Sequence, residues 1–167
     1  MPLRCRLGRT IKVFCTKLSG ISPGKLLDEL RESGFGCRYV DTSLDFDLDS
    51  PVWARAELVC AGSLRSIVIE HYIGGLHGTL VEEETEQLLE KVGPAEESWN
   101  KREVVVYLRM SRELFAIQME GGEAEKMKGL LDRCLQLFAT MGEGVLYVDG
   151  EGFFRKGKLI LPLAKHH

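Results

Sequence analysis

Long apolar runs and C-x-x-C cysteine pairs are both missing from this 167-residue chain, and its four histidines are only His71, His77 and the C-terminal pair. No stretch approaches the roughly 18 consecutive apolar residues of a membrane-spanning helix. None near the N-terminus forms the apolar core of a secretory signal. The five cysteines (Cys5, Cys15, Cys37, Cys60 and Cys134) contain no C-x-x-C pair, which argues against a zinc ligand set and against a disulfide framework. Reduced thiols in a cytoplasmic protein are therefore the expectation. Acidic residues are absent before Asp28, whereas Arg4, Arg6, Arg9, Lys12, Lys17 and Lys25 all precede it. A mitochondrial transit segment has that bias. Against it, residues 11–16 read as a strand and Pro23-Gly24 already opens a helix. The organisation expected is a basic N-terminal arm, 1–9, followed by one α+β domain, 10–167, with half-units 10–94 and 101–163.

What is present is ordinary in bulk and informative in pattern. A 44% hydrophobic, 28% charged composition is that of a soluble globular domain large enough to bury a core. Two hairpin-then-helix patterns follow one another, each handing over through a Gly-Gly pair. In the first, residues 53–60 and 64–73 alternate as strands around the turn Ala61-Gly62-Ser63, Gly74-Gly75 ends the second strand, and 80–92 is helical. In the second, 103–110 and 113–119 read as strands, followed by Gly121-Gly122 and a helix to about Met141. Ser22 before Pro23 marks another helix start, and Gly34 its stop. Thr79 with Glu82 spells a capping box. Strands near 145–149 and 158–163 close the chain, joined by turns through Gly150 and Gly152.

With a weak strand at 36–41 set aside, residues 10–110 spell βαββαβ, the ferredoxin-like order. The fold expected is an antiparallel or mixed sheet with its helices on one face, extended by a C-terminal βαββ unit.

No constellation in the chain spells out a reaction. Asp45, Asp47 and Asp49 alternate like the start of a calcium loop, but Ser50 and Ala56 occupy the positions where an EF-hand needs Gly and Glu. A solvated loop or edge strand explains them better. Gly20 to Lys25 is one residue short of a phosphate loop, and Leu26 replaces its Ser/Thr. No cofactor and no metal are expected. An RNA-binding module of βαββαβ order would need aromatics on its central strands, where this chain has Lys12; nucleic acid is a poor fit.

Two groups remain. Glu70, His71, Tyr72 and His77 lie at a strand–loop–helix junction; were the protein an enzyme, His71, His77 and Glu70 would supply its acid or base. Residues 149–157 carry the most distinctive local stretch, a glycine-rich turn in which Asp149, Glu151, Phe154, Arg155 and Lys156 could present a binding surface. Seven glutamates between Glu82 and Glu97 stand against the single Lys91. They add an acidic face suited to a basic partner, and the arm of a second copy is one such partner.

The functional expectation is a small cytoplasmic binding or regulatory module that acts through protein–protein contact, of adaptor, regulator or toxin-neutralising type. It makes no use of a membrane and is compatible with homo-oligomers. The alternative is a small-ligand-binding protein or enzyme with a pocket around Glu70, His71, Tyr72 and His77.

Overall fold

Alternation of apolar and polar residues builds a single sheet. In the computed structural model, which describes residues 10–40, 47–61, 66–119 and 127–163, the strands are β1 (Thr10–Cys15), β2 (Cys37–Tyr39), β3 (Arg55–Cys60), β4 (Ser66–Ile73), β5 (Glu113–Met119), β6 (Gly144–Val148), β7 (Gly152–Arg155) and β8 (Lys158–Pro162). They form one eight-stranded sheet in the order β2-β3-β4-β5-β1-β6-β7-β8, and every neighbouring pair is antiparallel. The helices are α1 (Pro23–Glu32), α2 (Leu80–Val92), α3 (Trp99–Arg109) and α4 (Lys128–Met141).

The helices cover both faces of the sheet, not one as expected. Ile11, Val13, Phe115 and Ile117 turn to a core that contains Leu26 and Leu30 of α1 and Leu130, Cys134 and Phe138 of α4. Phe14, Leu114, Val145 and Phe153 turn the other way, onto Val81 and Leu88 of α2 and Val104 and Leu108 of α3. The central strands are apolar on both sides, and each side needs a cover.

Helix α3 accounts for the second difference. Residues 103–110 were expected to be a strand because Glu-Val-Val-Val-Tyr-Leu is rich in β-branched and aromatic residues. They are helical. Ser98 caps the helix by accepting a hydrogen bond from Lys101 N–H at 3.1 Å. Val104, Val105 and Leu108 are buried while Val106 is exposed, which is helical spacing and not alternation. Capping and the apolar face of α2 override the local propensity. The order βαββαβ is therefore not that of residues 10–110, and β5 lies between β4 and β1. The second hairpin-then-helix unit is likewise a helix–strand–helix.

Other expectations hold. Ser22 Oγ accepts from Lys25 N–H at 3.1 Å with Pro23 in the first turn of α1. Gly74 and Gly75 fall between the end of β4 and the start of α2. That helix begins at Leu80, but the Thr79 hydroxyl donates to Glu83 Oε1 at 2.8 Å and makes no capping bond. Strand β7 occupies a stretch that sequence assigned to turns. Gly152 there has φ 130° with the β8 backbone against its α-carbon, a conformation and an approach that only glycine permits. The basic arm, Asp45, the Gly62-Ser63 turn and the Gly121-Gly122 pair lie outside the described residues. No helix among the described residues is long and apolar enough to cross a membrane.

Candidate functional site

The residues around His71 are divided by the sheet. Alternation along β4 buries Ile69, His71 and Ile73 on the α1/α4 face and turns Glu70 and Tyr72 to the α2/α3 face. On that second face the Tyr72 hydroxyl donates to Glu70 Oε2 at 2.5 Å, and Lys12 Nζ pairs with Glu84 Oε2 at 2.5 Å. Burial, with the Glu70 carboxylate beside it, pushes the Tyr72 hydroxyl up to about 12. The structure thus brings His71 and His77 together, with ring centroids 6.2 Å apart, and leaves Glu70 and Tyr72 on the other side of the backbone.

The carboxylate that faces His71 is Glu113, the first residue of β5. It is 2% exposed and His71 is 1% exposed, with Nε2 3.6 Å from Glu113 Oε2. Glu113 also accepts from the Ser19 hydroxyl and, at 3.3 Å, from Ser19 N–H. His71 Nδ1 lies 2.9 Å from the Trp53 carbonyl oxygen. A carbonyl can only accept, so Nδ1 carries a proton. In a neutral ring Nε2 would then be a lone pair aimed at a carboxylate. At 3.6 Å the Glu113 carboxylate lies just beyond hydrogen-bond distance, and Nε2 has no hydrogen-bond partner. The ring packs among aromatic side chains: Trp53 tilted against it at 4.4 Å, Phe115 stacked at 4.6 Å and itself 6.0 Å from Trp53, and Phe138 stacked on Phe115 at 3.9 Å.

His77 has the opposite requirement. Its Nδ1 accepts the Ile73 N–H at 2.8 Å, which needs an unprotonated nitrogen. Burial, and then the neighbouring His71, hold it below its ordinary value. Cys15, opposite Glu113 in the β1–β5 register, is raised by burial and by that carboxylate.

As chemistry, the group is not a nucleophilic triad. Ser19 donates its hydrogen to Glu113 rather than to the imidazole, and the residue is buried, so its hydroxyl is not presented to a substrate. What the set does is fix loops. Ser19 binds the chain after β1, Trp53 Nε1 donates to Ile21 O at 2.9 Å, and Arg112 N–H donates to Cys15 O while Arg112 O accepts from Gly74 N–H, each at 2.8 Å. One end of the sheet is thereby assembled from the segments 16–22, 47–54, 74–79 and 110–112.

That end is also where apolar side chains meet solvent. Eight large hydrophobic residues are exposed among the described ones, and five of them (Leu18, Leu48, Val52, Leu76 and Met110) belong to or border these segments. Lys17 and Arg112, on the same segments, are also exposed; Lys17 Nζ lies 3.8 Å from Glu143 Oε1.

The second group named from sequence is spread along β7. Asp149 and Glu151 lie at one end of that strand, and Arg155 and Lys156 at the other. Asp149 Oδ1 accepts from the Tyr147 hydroxyl at 3.4 Å. Phe154 is packed into the α1/α4 core. Arg155 is paired with Glu103 of α3 and lies 5.3 Å from the Tyr107 ring centroid. Lys156 and Gly157 form the tight turn into β8 with φ 50° and 77°.

Sequence reasoning missed Glu113, Ser19 and Trp53. A signal for Glu113 existed: alternation along β5 puts it on the same face as Phe115 and Ile117, and a charged residue on an apolar face calls for a buried partner. Asp47 and Asp49 form a turn, with Asp49 N–H donating to Asp47 Oδ1 at 2.9 Å. Among the described residues no group of three or more His, Cys, Asp or Glu is arranged to hold a metal ion. Comparison with family models, with curated proteins and with solved structures gives no match.

Proposed function

We propose that the chain is a small binding module of regulatory, adaptor or toxin-neutralising type, working in the cytoplasm through contact with another protein. The observation that carries this reading is the gathering of Leu18, Leu48, Val52, Leu76 and Met110 at one end of the sheet. Exposed apolar residues scattered singly need no explanation, but five of them on loops at one end of a sheet, beside exposed charge, fit an interaction surface. The loops bearing them are fixed from beneath by the Ser19–Glu113–His71–Trp53 contacts, so little order has to be imposed when a partner binds. The partner implied is a protein segment with apolar side chains flanked by acidic ones, to meet Lys17 and Arg112.

Affinity purification from the source cell tests this with three forms: the wild type, a Leu18→Glu/Leu76→Glu double variant, and Trp99→Glu as a control away from that end. The proposal expects one protein recovered equally by wild type and control and at least tenfold less by the double variant. Recovery of nothing that distinguishes the three forms overturns it.

A second reading, a small-ligand site or an enzyme, draws on the unpartnered Nε2 of His71. It would use His71 and His77 with Glu113, in place of the wider set including Glu70 and Tyr72. Thermal melts with a metabolite panel test it: a rise in Tm that His77→Gln abolishes supports it, and no rise with any compound removes it.

A further inference from the structure

We propose that Cys37 and Cys60 are a thiol pair that closes reversibly into a disulfide across the β2–β3 edge of the sheet. Cys37 opens β2, Cys60 ends β3, and the antiparallel register sets them directly opposite one another. The ladder decides which type of pair this is. Ala61 N–H donates to Gly36 O at 2.8 Å, and Val40 N–H donates to Glu57 O at 3.0 Å. Those two pairs are hydrogen-bonded, and by alternation Cys37/Cys60 is a non-hydrogen-bonded pair. Such pairs hold their Cα atoms about 4.5 Å apart with the side chains at their closest, within the roughly 4.4–6.8 Å that a disulfide spans. The two Sγ atoms are already 3.3 Å apart. A closure of roughly 1.3 Å gives the bond, whose length is about 2.05 Å.

Access gives the order of events. Cys60 is half-buried and Cys37 is 4% exposed. Burial, with the Cys60 thiol as its neighbour, pushes Cys37 up to about 12. The more accessible thiol, Cys60, therefore reacts first. With a peroxide as oxidant, the Cys60 thiol takes one oxygen to become a sulfenic acid, and the peroxide leaves as water. The Cys37 sulfur then attacks the Cys60 sulfur, the S–O bond breaks, and the hydroxyl leaves with the Cys37 proton as a second water. A thiol reductant reverses the bond by exchange. Cys134 lies in the same core, is fully buried and is pushed up to about 12 by burial and then by Cys37 and Cys60; it has no opposite sulfur in the ladder.

The bond would fix β2, a three-residue edge strand, to β3, and would close the loop that runs from β2 to Trp53. Closing such a loop removes freedom from the unfolded chain, which corresponds to a rise in Tm on the order of 5–10 °C.

Peptide mapping of the full chain without reduction, after mild peroxide and after a thiol reductant, tests the pair. The expected result is a peptide joining Cys37 to Cys60, short of two hydrogen atoms, present after peroxide and gone after reductant, with the stated rise in Tm. Cys134→Ser should retain it, and Cys60→Ser should lose it. Thiols that stay free, a link to any other cysteine, or Cys60 driven to sulfinic acid without pairing would each overturn the proposal. Because the wild-type map alone decides, a variant that fails to fold does not obscure the outcome.

Discussion

His71 Nε2 faces Glu113 Oε2 at 3.6 Å in a site where both side chains are shut off from water, while Nδ1 is committed to the carbonyl of Trp53. Two strands, β4 and β5, and the loops before β3 and after β1 depend on that arrangement. The juxtaposition of the two residues carries consequences for stability that can be measured.

Removing one member of a buried pair leaves the other uncompensated, at a cost of about 3–5 kcal/mol. Glu113→Gln is expected to fall in that range, and Ser19→Ala to cost about 1–3 kcal/mol. In a double-mutant cycle, Glu113→Gln combined with His71→Phe should cost clearly less than the two single changes added together. Urea unfolding of the four forms checks this. Strict additivity would mean that the pair contributes nothing as a pair.

Stability should decline on mild acidification through His77. Its folded value lies below the ordinary 6.5 of the unfolded chain, so the unfolded state binds more protons between the two values. The contribution is complete above about pH 6.5. It is lost as pH falls from there through the lowered folded value, where the Nδ1 acceptor of Ile73 N–H is protonated. Tm measured from pH 7.5 to 5 should drop in the wild type, and the drop should be shallower in His77→Gln.

Helix α3 depends on a cap. Ser98→Ala removes the acceptor for Lys101 N–H and should destabilise the protein by about 0.5–2 kcal/mol. Gly152→Ala should cost more than 1 kcal/mol, because φ 130° and the nearby β8 backbone both resist a side chain. Thermal melts of the two variants read both effects.

The acidic face of α2 offers a separate expectation. Glu82, Glu83 and Glu86 are exposed on it. Carboxylates near a helix N-terminus gain about 0.3–1 kcal/mol each from the dipole, against their mutual repulsion. If the basic arm of a second copy binds there, sedimentation at low salt should show a dimer that high salt, or deletion of residues 1–9, dissolves. A monomer throughout removes that form of self-association.

Much of the fold was legible because alternation and capping are local. Ser22-Pro23 opened α1, Gly74-Gly75 ended β4, and the face shared by Ile67, Ile69 and His71 was visible as a period of two. The failures were tertiary. Val104-Val105-Val106 is a strand by propensity and a helix by the neighbours it packs on. Nothing local says that Phe14 and Leu114 face a second pair of helices. For the site, His71 was legible as the histidine of a buried face, but its carboxylate lies 42 positions on in the chain, and only the β4–β5 register brings the two together. Ser19 and Trp53 came from loops, where no period betrays a contact.

Hydrogen–deuterium exchange on the protein alone and on its purified complex with the recovered partner locates the working surface. Protection is expected in residues 16–22, 47–54, 74–79 and 110–112, the loops that carry Leu18, Leu48, Val52, Leu76 and Met110. Protection confined to 99–106 or 149–157, with those loops exchanging as in the free protein, would contradict a partner seated on that end of the sheet.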